Sequence, residues 1–225
     1  MFGRRLADAG GECLRETRTV GFRRVEWKPC EGAPDGAAPW LCVVNGEPVF
    51  LGGANWVPAR LAHLDATAED HDLLVGRYRD MGCTVLRVWG GAGLGDRSFY
   101  EACDRAGIFV WQEFPLSSSG IENTPPSDPE AIARLERIAV SYARRRANHP
   151  SLLLWCGGNE LYYGPSPDHP GPQKPVDLEH PCIAMLARVV TEEDPGRRFL
   201  TGSPSGPVDY ALPENYGKGI HHDIH

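Results

Sequence analysis

The sequence predicts an α/β fold with a parallel sheet, arranged as a (β/α) barrel. Three observations carry this expectation. From Trp40 onward, strand-like apolar runs alternate with helix-like stretches, the order that gives parallel strands with right-handed crossovers. One run, LLLWCGGNELYY at 152–163, begins as a continuous apolar segment suited to a strand covered on both faces. Polar or aromatic residues then end strand after strand: Asn55 and Trp56, Arg87 and Trp89, Trp111 and Glu113, Asn159 and Glu160, Ser203, and His225. A ring of such tips is what a barrel supplies, whereas an open doubly wound sheet gathers its site at one switch point.

Residues 1 to about 30 read differently from the rest. ETRTVGFRRVEW alternates polar and apolar, which suits an antiparallel strand, and the Pro/Gly-rich PCEGAPDGAAP follows as a linker. This portion is expected to be the end of a preceding module. LCVV-NG-EPVFL is a hairpin with an Asn-Gly turn, and its second arm runs into GGANW. A helix is expected over 65–81, opened by Thr67 with Asp70 three residues later as a capping box. TVLRVWGG (84–91) is a strand, SFYEACDRAG (98–107) a short helix stopped by Gly107, and IFVWQEF (108–114) a strand. A long helix over 129–148 places Ile132, Leu135, Ile138, Ala139 and Tyr142 three and four residues apart. After LLLWCGGNE come a Pro/Gly-rich loop (164–175), a helix near 178–193, the strand RFLTGSP, and a strand-like GIHHDIH at the end.

Composition narrows the function classes. A net charge of −7 and no dense Lys/Arg stripe argue against nucleic acid as a partner. The triplet Arg144–Arg146 is read as a solvated helix end. No apolar run approaches the roughly 18 residues needed to span a bilayer, and no apolar core follows Met1 as a secretory signal would require. Membrane is therefore not an expected partner. Seven cysteines, widely spaced and without a CxxC pair, suggest buried free thiols in a reducing, cytoplasmic setting rather than a zinc site or disulfide framework. Oligomeric state is not legible.

The strand tips carry the chemistry. Glu160 is the candidate acid. Trp56, Trp89 and Trp111 end three strands, and aromatic faces beside hydrogen-bonding groups suit a sugar, although each taken alone reads equally well as core. Arg87 sits inside an apolar strand, where it needs a carboxylate or a substrate oxygen; Glu113 is its natural partner, as an ion pair or as part of a substrate contact. Asn159 and Glu160 also read as a helix N-cap and first turn. HHDIH raises the question of a metal, with His221, Asp223 and His225 on one face of a strand. No second ligand cluster accompanies them, so hydrogen bonding of a sugar by His225 is preferred. GGAGLG at 90–95 lacks the G-x-G-x-x-G spacing of a dinucleotide site and reads as a loop that passes close to a ligand.

In order and spacing, GGANWVPA, TVLRVWGG, FYEACDRAGIFVWQEF, NHPSLLLWCGGNE and GIHHDIH resemble the catalytic barrel of glycoside hydrolase family 2, nearest its β-mannosidase-like members. The resemblance covers 40–225. It implies an incomplete (β/α)8 TIM barrel of about six strands, with residues 1–30 as the end of an immunoglobulin-like β-sandwich domain and its linker. It also implies a retaining glycosidase that cleaves terminal β-linked sugars, β-mannosides first among them, without a cofactor. Glu160 takes the role of general acid/base and Asn159 that of partner to the sugar 2-hydroxyl, with sugar contacts from Asn55, Trp56, Arg87, Trp89, Glu113 and His225. The chain departs from the β-mannosidase pattern at Ala92, where a third glycine is usual, at Glu113, where Asp is usual, and at Gly158, where Asn is usual. The family places its nucleophilic Glu at the tip of the seventh strand, so the second carboxylate is expected outside these residues and the chain alone is expected to be inactive. The rival reading is a carbohydrate-binding or degenerate barrel without turnover.

Overall fold

The computed structural model describes residues 2–8, 11–18, 20–60, 65–117, 123–163, 174–206 and 219, the first two segments as backbone only. The chain begins with a hairpin of β1 (Phe2–Asp8) and β2 (Gly11–Arg18). A separate antiparallel sheet then joins β3 (Val25–Lys28), β4 (Leu41–Val44) and β5 (Glu47–Val49) in that order. The expected single strand across 16–27 is thus two strands in two sheets. Its second half pairs with the 41–49 hairpin, with Val25 opposite Val44. The Asn-Gly turn forms as read, with Asn45 at φ 53° and Gly46 at φ 92°, the left-handed pair that lets a two-residue turn follow the twist of its strands.

The parallel sheet contains β6 (Gly53–Trp56), β7 (Val85–Val88), β8 (Phe109–Glu113), β9 (Leu152–Cys156) and β12 (Arg198–Leu200). They lie in strict chain order across the sheet. Monotonic order with right-handed crossovers puts every connecting helix on one face, which is the barrel arrangement and not the doubly wound one. Helices α1 (Ala68–Asp80), α2 (Arg97–Ala106), α3 (Pro129–Arg146) and α4 (Pro181–Glu193) make those crossovers. A short ribbon, β10 (Tyr162–Tyr163) with β11 (Lys174–Pro175), follows β9. The sixth strand expected at 219–225 lies outside the described residues, apart from Gly219.

Local chemistry sets the helix ends. Thr67 accepts from the Asp70 amide while Asp70 accepts from the Thr67 amide, the reciprocal capping box. Gly107 closes α2 at φ 73°. On α3 the buried stripe is Leu135, Ala139, Ala143 and Arg146, whereas the expected Ile138 is 42% exposed. Arg146 corrects the reading of its triplet as solvated. Its guanidinium is buried, donates twice to the Gly95 carbonyl at 2.8 and 3.1 Å, and stacks on Tyr100.

Two apolar layers flank the sheet. The outer layer packs Leu86, Val88, Val110, Leu152 and Trp155 against helix residues including Phe99, Ala139, Ile183 and Leu186. The inner layer joins Leu154, Cys156 and Leu200 with Trp27, Trp40 and Trp111. All five residues of β9 are buried, as a strand walled on both faces requires. Cys42, Cys103, Cys156 and Cys182 are buried free thiols, Cys83 is half-buried and Cys30 exposed.

Candidate active site

Strand pairing builds the site. In register, Asn55 lies opposite Arg87 and Arg87 opposite Trp111, while Glu113 lies opposite Cys156. Asn55, Arg87, Trp111 and Glu113 share the inner face by alternation along their strands. Arg87 is the hub. It donates from Nη1 to Asn55 Oδ1 at 2.8 Å, from Nε to Glu113 Oε1 at 2.9 Å, and from Nη2 to Asn159 Oδ1 at 2.7 Å. The fixed fork of the guanidinium can meet three planar acceptors at once, which an ammonium cannot.

Glu113 has no solvent exposure at all. One carboxylate oxygen takes Arg87 and the other takes the Gly90 amide at 2.8 Å. Burial pushes its carboxyl above the ordinary value, with Arg87 and the Gly90 N–H pulling the other way. Both oxygens are therefore committed within the protein, so the ion-pair reading describes this residue better than a direct sugar contact.

Beyond Cys156 the backbone runs through two glycines into Asn159 and Glu160, and close approaches dictate both glycines. A Cβ at Gly157 would stand 2.2 Å from the Thr201 carbonyl oxygen, and one at Gly158 2.5 Å from that of Leu116. Asn159 then bridges Ser117 on one side and Ser203 on the other. Its amide N–H donates to Leu116 O at 3.0 Å, and that of Glu160 donates to Ser203 O at 2.7 Å. No helix starts here, so the N-cap reading of Asn159 fails. Glu160 sits at φ 50°, a left-handed backbone that costs a non-glycine residue about 1–2 kcal/mol. It is half-buried, and the neighbouring strands hold it in that conformation. Non-glycine residues in this region cluster where function demands them.

The remaining expected contacts divide. Trp89 follows β7 and is half-buried, its indole folded over Gly91, where a Cβ would lie 2.2–2.5 Å from ring atoms. Trp56 is a correction. It is 5% exposed and stacks on Phe99 at 4.4 Å, beside His71 and Tyr78. Its neighbour Asn55 occupies the inner face, so alternation turns the Trp56 ring to the helix layer, away from the other tips. Trp111 packs with the inner apolar layer. His225, and with it the HHDIH metal question, lies outside the described residues; among those described, no group of three or more His, Cys, Asp or Glu is placed to hold a metal. Sequence reasoning missed Ser117, whose hydroxyl stands 3.4 Å from Asn159 Nδ2, and the Gly90 amide. Only the Gly-Gly after RVW hinted at the latter.

The family model described as "Glycosyl hydrolases family 2, TIM barrel domain" matches residues 95–169, the span that holds Glu113, Asn159 and Glu160. The chain belongs to glycoside hydrolase family 2. This family 2 barrel sequence is 30% identical to the β-mannosidase of Mus musculus over 204 residues, 87% of this chain and 22% of that protein. It is 34% identical to β-mannosidase B of Aspergillus fumigatus over 179 residues, 72% of this chain and 20% of that protein. The chain thus spans about a fifth of the length of the curated relatives it matches. Among solved structures, the β-D-mannosidase of Dictyoglomus thermophilum superposes with a TM-score of 0.70 at 30% identity, over 88% of this chain and 24% of that one. A β-glucuronidase of Bacteroides uniformis shares the fold, with a TM-score of 0.62 at 24% identity. The immunoglobulin-like domain expected over residues 1–30 lies outside the matched family segment.

Proposed function

We propose that the protein carrying this chain is a retaining glycosidase of terminal β-linked sugars, acting on β-mannosides, with Glu160 as its general acid/base. The observation that carries this reading is the β9 tip, where Asn159 is locked by Arg87 and Glu160 is held in a left-handed backbone beside it. The named β-mannosidase relatives support mannose as the sugar.

In this mechanism Glu160 protonates the glycosidic oxygen as the bond breaks, then deprotonates the water that releases the sugar from a second carboxylate. That second carboxylate, about 5–5.5 Å away in a retaining enzyme, is assigned to none of the described residues. Asn159 offers its Nδ2 hydrogens to the 2-hydroxyl. Asn55, Trp89 and His225 complete the sugar contacts, and Glu113 serves through Arg87. No step calls for a cofactor.

The test is turnover of aryl β-mannoside, β-glucoside and β-glucuronide by the natural protein, with the first-formed sugar followed by proton NMR. The reading predicts preference for the mannoside and a β-anomer as first product. An α-anomer, or binding of mannose without turnover, would replace it with inversion or with the carbohydrate-binding alternative.

A further inference from the structure

At the N-terminal ends of the strands, opposite the Glu160 tip, lies a cavity of about 310 Å³. Its walls are the segment 21–27, the turn 147–150 after α3, the turn 194–197 before β12, and Arg198 at the start of that strand. Three arginines line it: Arg23, Arg197 and Arg198. Arg23 Nη2 and Arg197 Nη1 both donate to the carbonyl oxygen of Leu152, so two like charges converge on one acceptor. Arg197 also donates from Nε to Asp194 Oδ2 at 2.9 Å and from Nη2 to Ala147 O at 2.8 Å. Arg198 donates from Nη1 to Pro39 O at 2.6 Å and lies over the rings of Trp40 and Trp27, 4.1 and 4.3 Å from their centroids.

The charges do not balance. Asp194 is the carboxylate lining the cavity, and it is committed to Arg197 and to the buried Trp155 Nε1–H at 2.9 Å. Among the described residues Arg23 and Arg198 have no carboxylate partner at ion-pair distance. Burial, and then Arg197, pull Arg23 down to about 10, against the opposing pull of Asp194 and Asp104. Planar guanidinium forks set around a polar concavity match the oxygens of a tetrahedral anion.

We propose that this cavity is an oxyanion site, taking one phosphate- or sulfate-sized anion between Arg23 and Arg198 and beside Arg197. The bound anion fastens the segment 21–27, which precedes the barrel, to the base of β9 and β12. The site is independent of the proposed hydrolysis, since no residue of it belongs to the strand tips.

Binding of inorganic phosphate to the purified protein, by equilibrium dialysis at ionic strength held constant with sodium chloride, tests this. The expected result is saturable uptake of one phosphate per chain, displaced by sulfate and not by chloride, with a thermal midpoint that rises with phosphate occupancy. Arg23→Gln and Arg198→Gln should each weaken binding at least tenfold. Should either variant fail to fold, phenylglyoxal labelling of the unaltered protein decides: phosphate should protect Arg23 and Arg198. Absence of saturable binding, unchanged affinity in a folded variant, or no protection of these two arginines overturns the proposal.

Discussion

Arg87 donates from Nη2 to Asn159 Oδ1 at 2.7 Å, and this fixes which way the amide before Glu160 points. A guanidinium has no acceptor, so the atom facing it is the oxygen. Asn159 Nδ2 therefore turns toward Ser117, and in the proposed mechanism it donates to a sugar hydroxyl.

Arg87→Lys should uncouple that arrangement. A lysine cannot reach Asn55, Glu113 and Asn159 together, and losing a hydrogen bond to a charged group costs about 1.5–3 kcal/mol. The expected loss in kcat/KM on a mannoside is about 10- to 100-fold. On a substrate lacking the 2-hydroxyl, wild type and variant should differ much less, because the interaction that Asn159 makes is already gone. An equal loss on both substrates would mean that Arg87 serves stability only.

Gly91→Ala tests the placement of Trp89. The new methyl would stand within 2.2–2.5 Å of indole atoms, so the ring must leave. Because the displaced group is a side chain at the rim, the fold should persist. Trp89 fluorescence should shift and KM should rise with kcat less affected. Unchanged kinetics would remove Trp89 from the sugar contacts.

Much of this was legible in the sequence. Thr67 and Asp70 marked the start of α1, Gly107 the end of α2, and Asn45-Gly46 the hairpin, because each is dictated by neighbours in the chain. The all-apolar β9 announced burial on both faces. What misled was treating every residue at a strand tip alike. Asn55 and Trp56 are consecutive and must face opposite sides, and parity alone would have sent Trp56 to Phe99. Arg146 could not be read, since the Gly95 carbonyl that justifies its burial is 51 residues away. The same holds for the Gly90 amide that holds Glu113.

Asp104 predicts a pH dependence of stability. Burial alone would raise its carboxyl, but His149 Nδ1 at 2.6 Å and the Ser151 amide at 2.9 Å hold it below the ordinary value. A carboxyl depressed in the folded state stabilises above its unfolded pKa of about 3.9 and loses that contribution as pH falls. The thermal midpoint should therefore drop between about pH 5 and 3. Asp104→Asn should lower it at pH 7 by about 2–8 °C, for about 1–2 kcal/mol lost, and should flatten the acid slope. An acid slope as steep as wild type would place the titrating group elsewhere.

Glu160→Ala in the natural protein is the most direct test of the account. General acid catalysis is worth about 10²- to 10⁴-fold, and its loss matters most where the leaving alcohol is poor. Cleavage of mannose disaccharides should fall by that amount, while an aryl mannoside with an acidic phenol should still form the glycosyl-enzyme and then stall for want of the base. Azide, which needs no base, should restore turnover and yield a β-mannosyl azide. Equal slowing of both substrates with no rescue by azide would contradict the assignment of Glu160 as the acid/base.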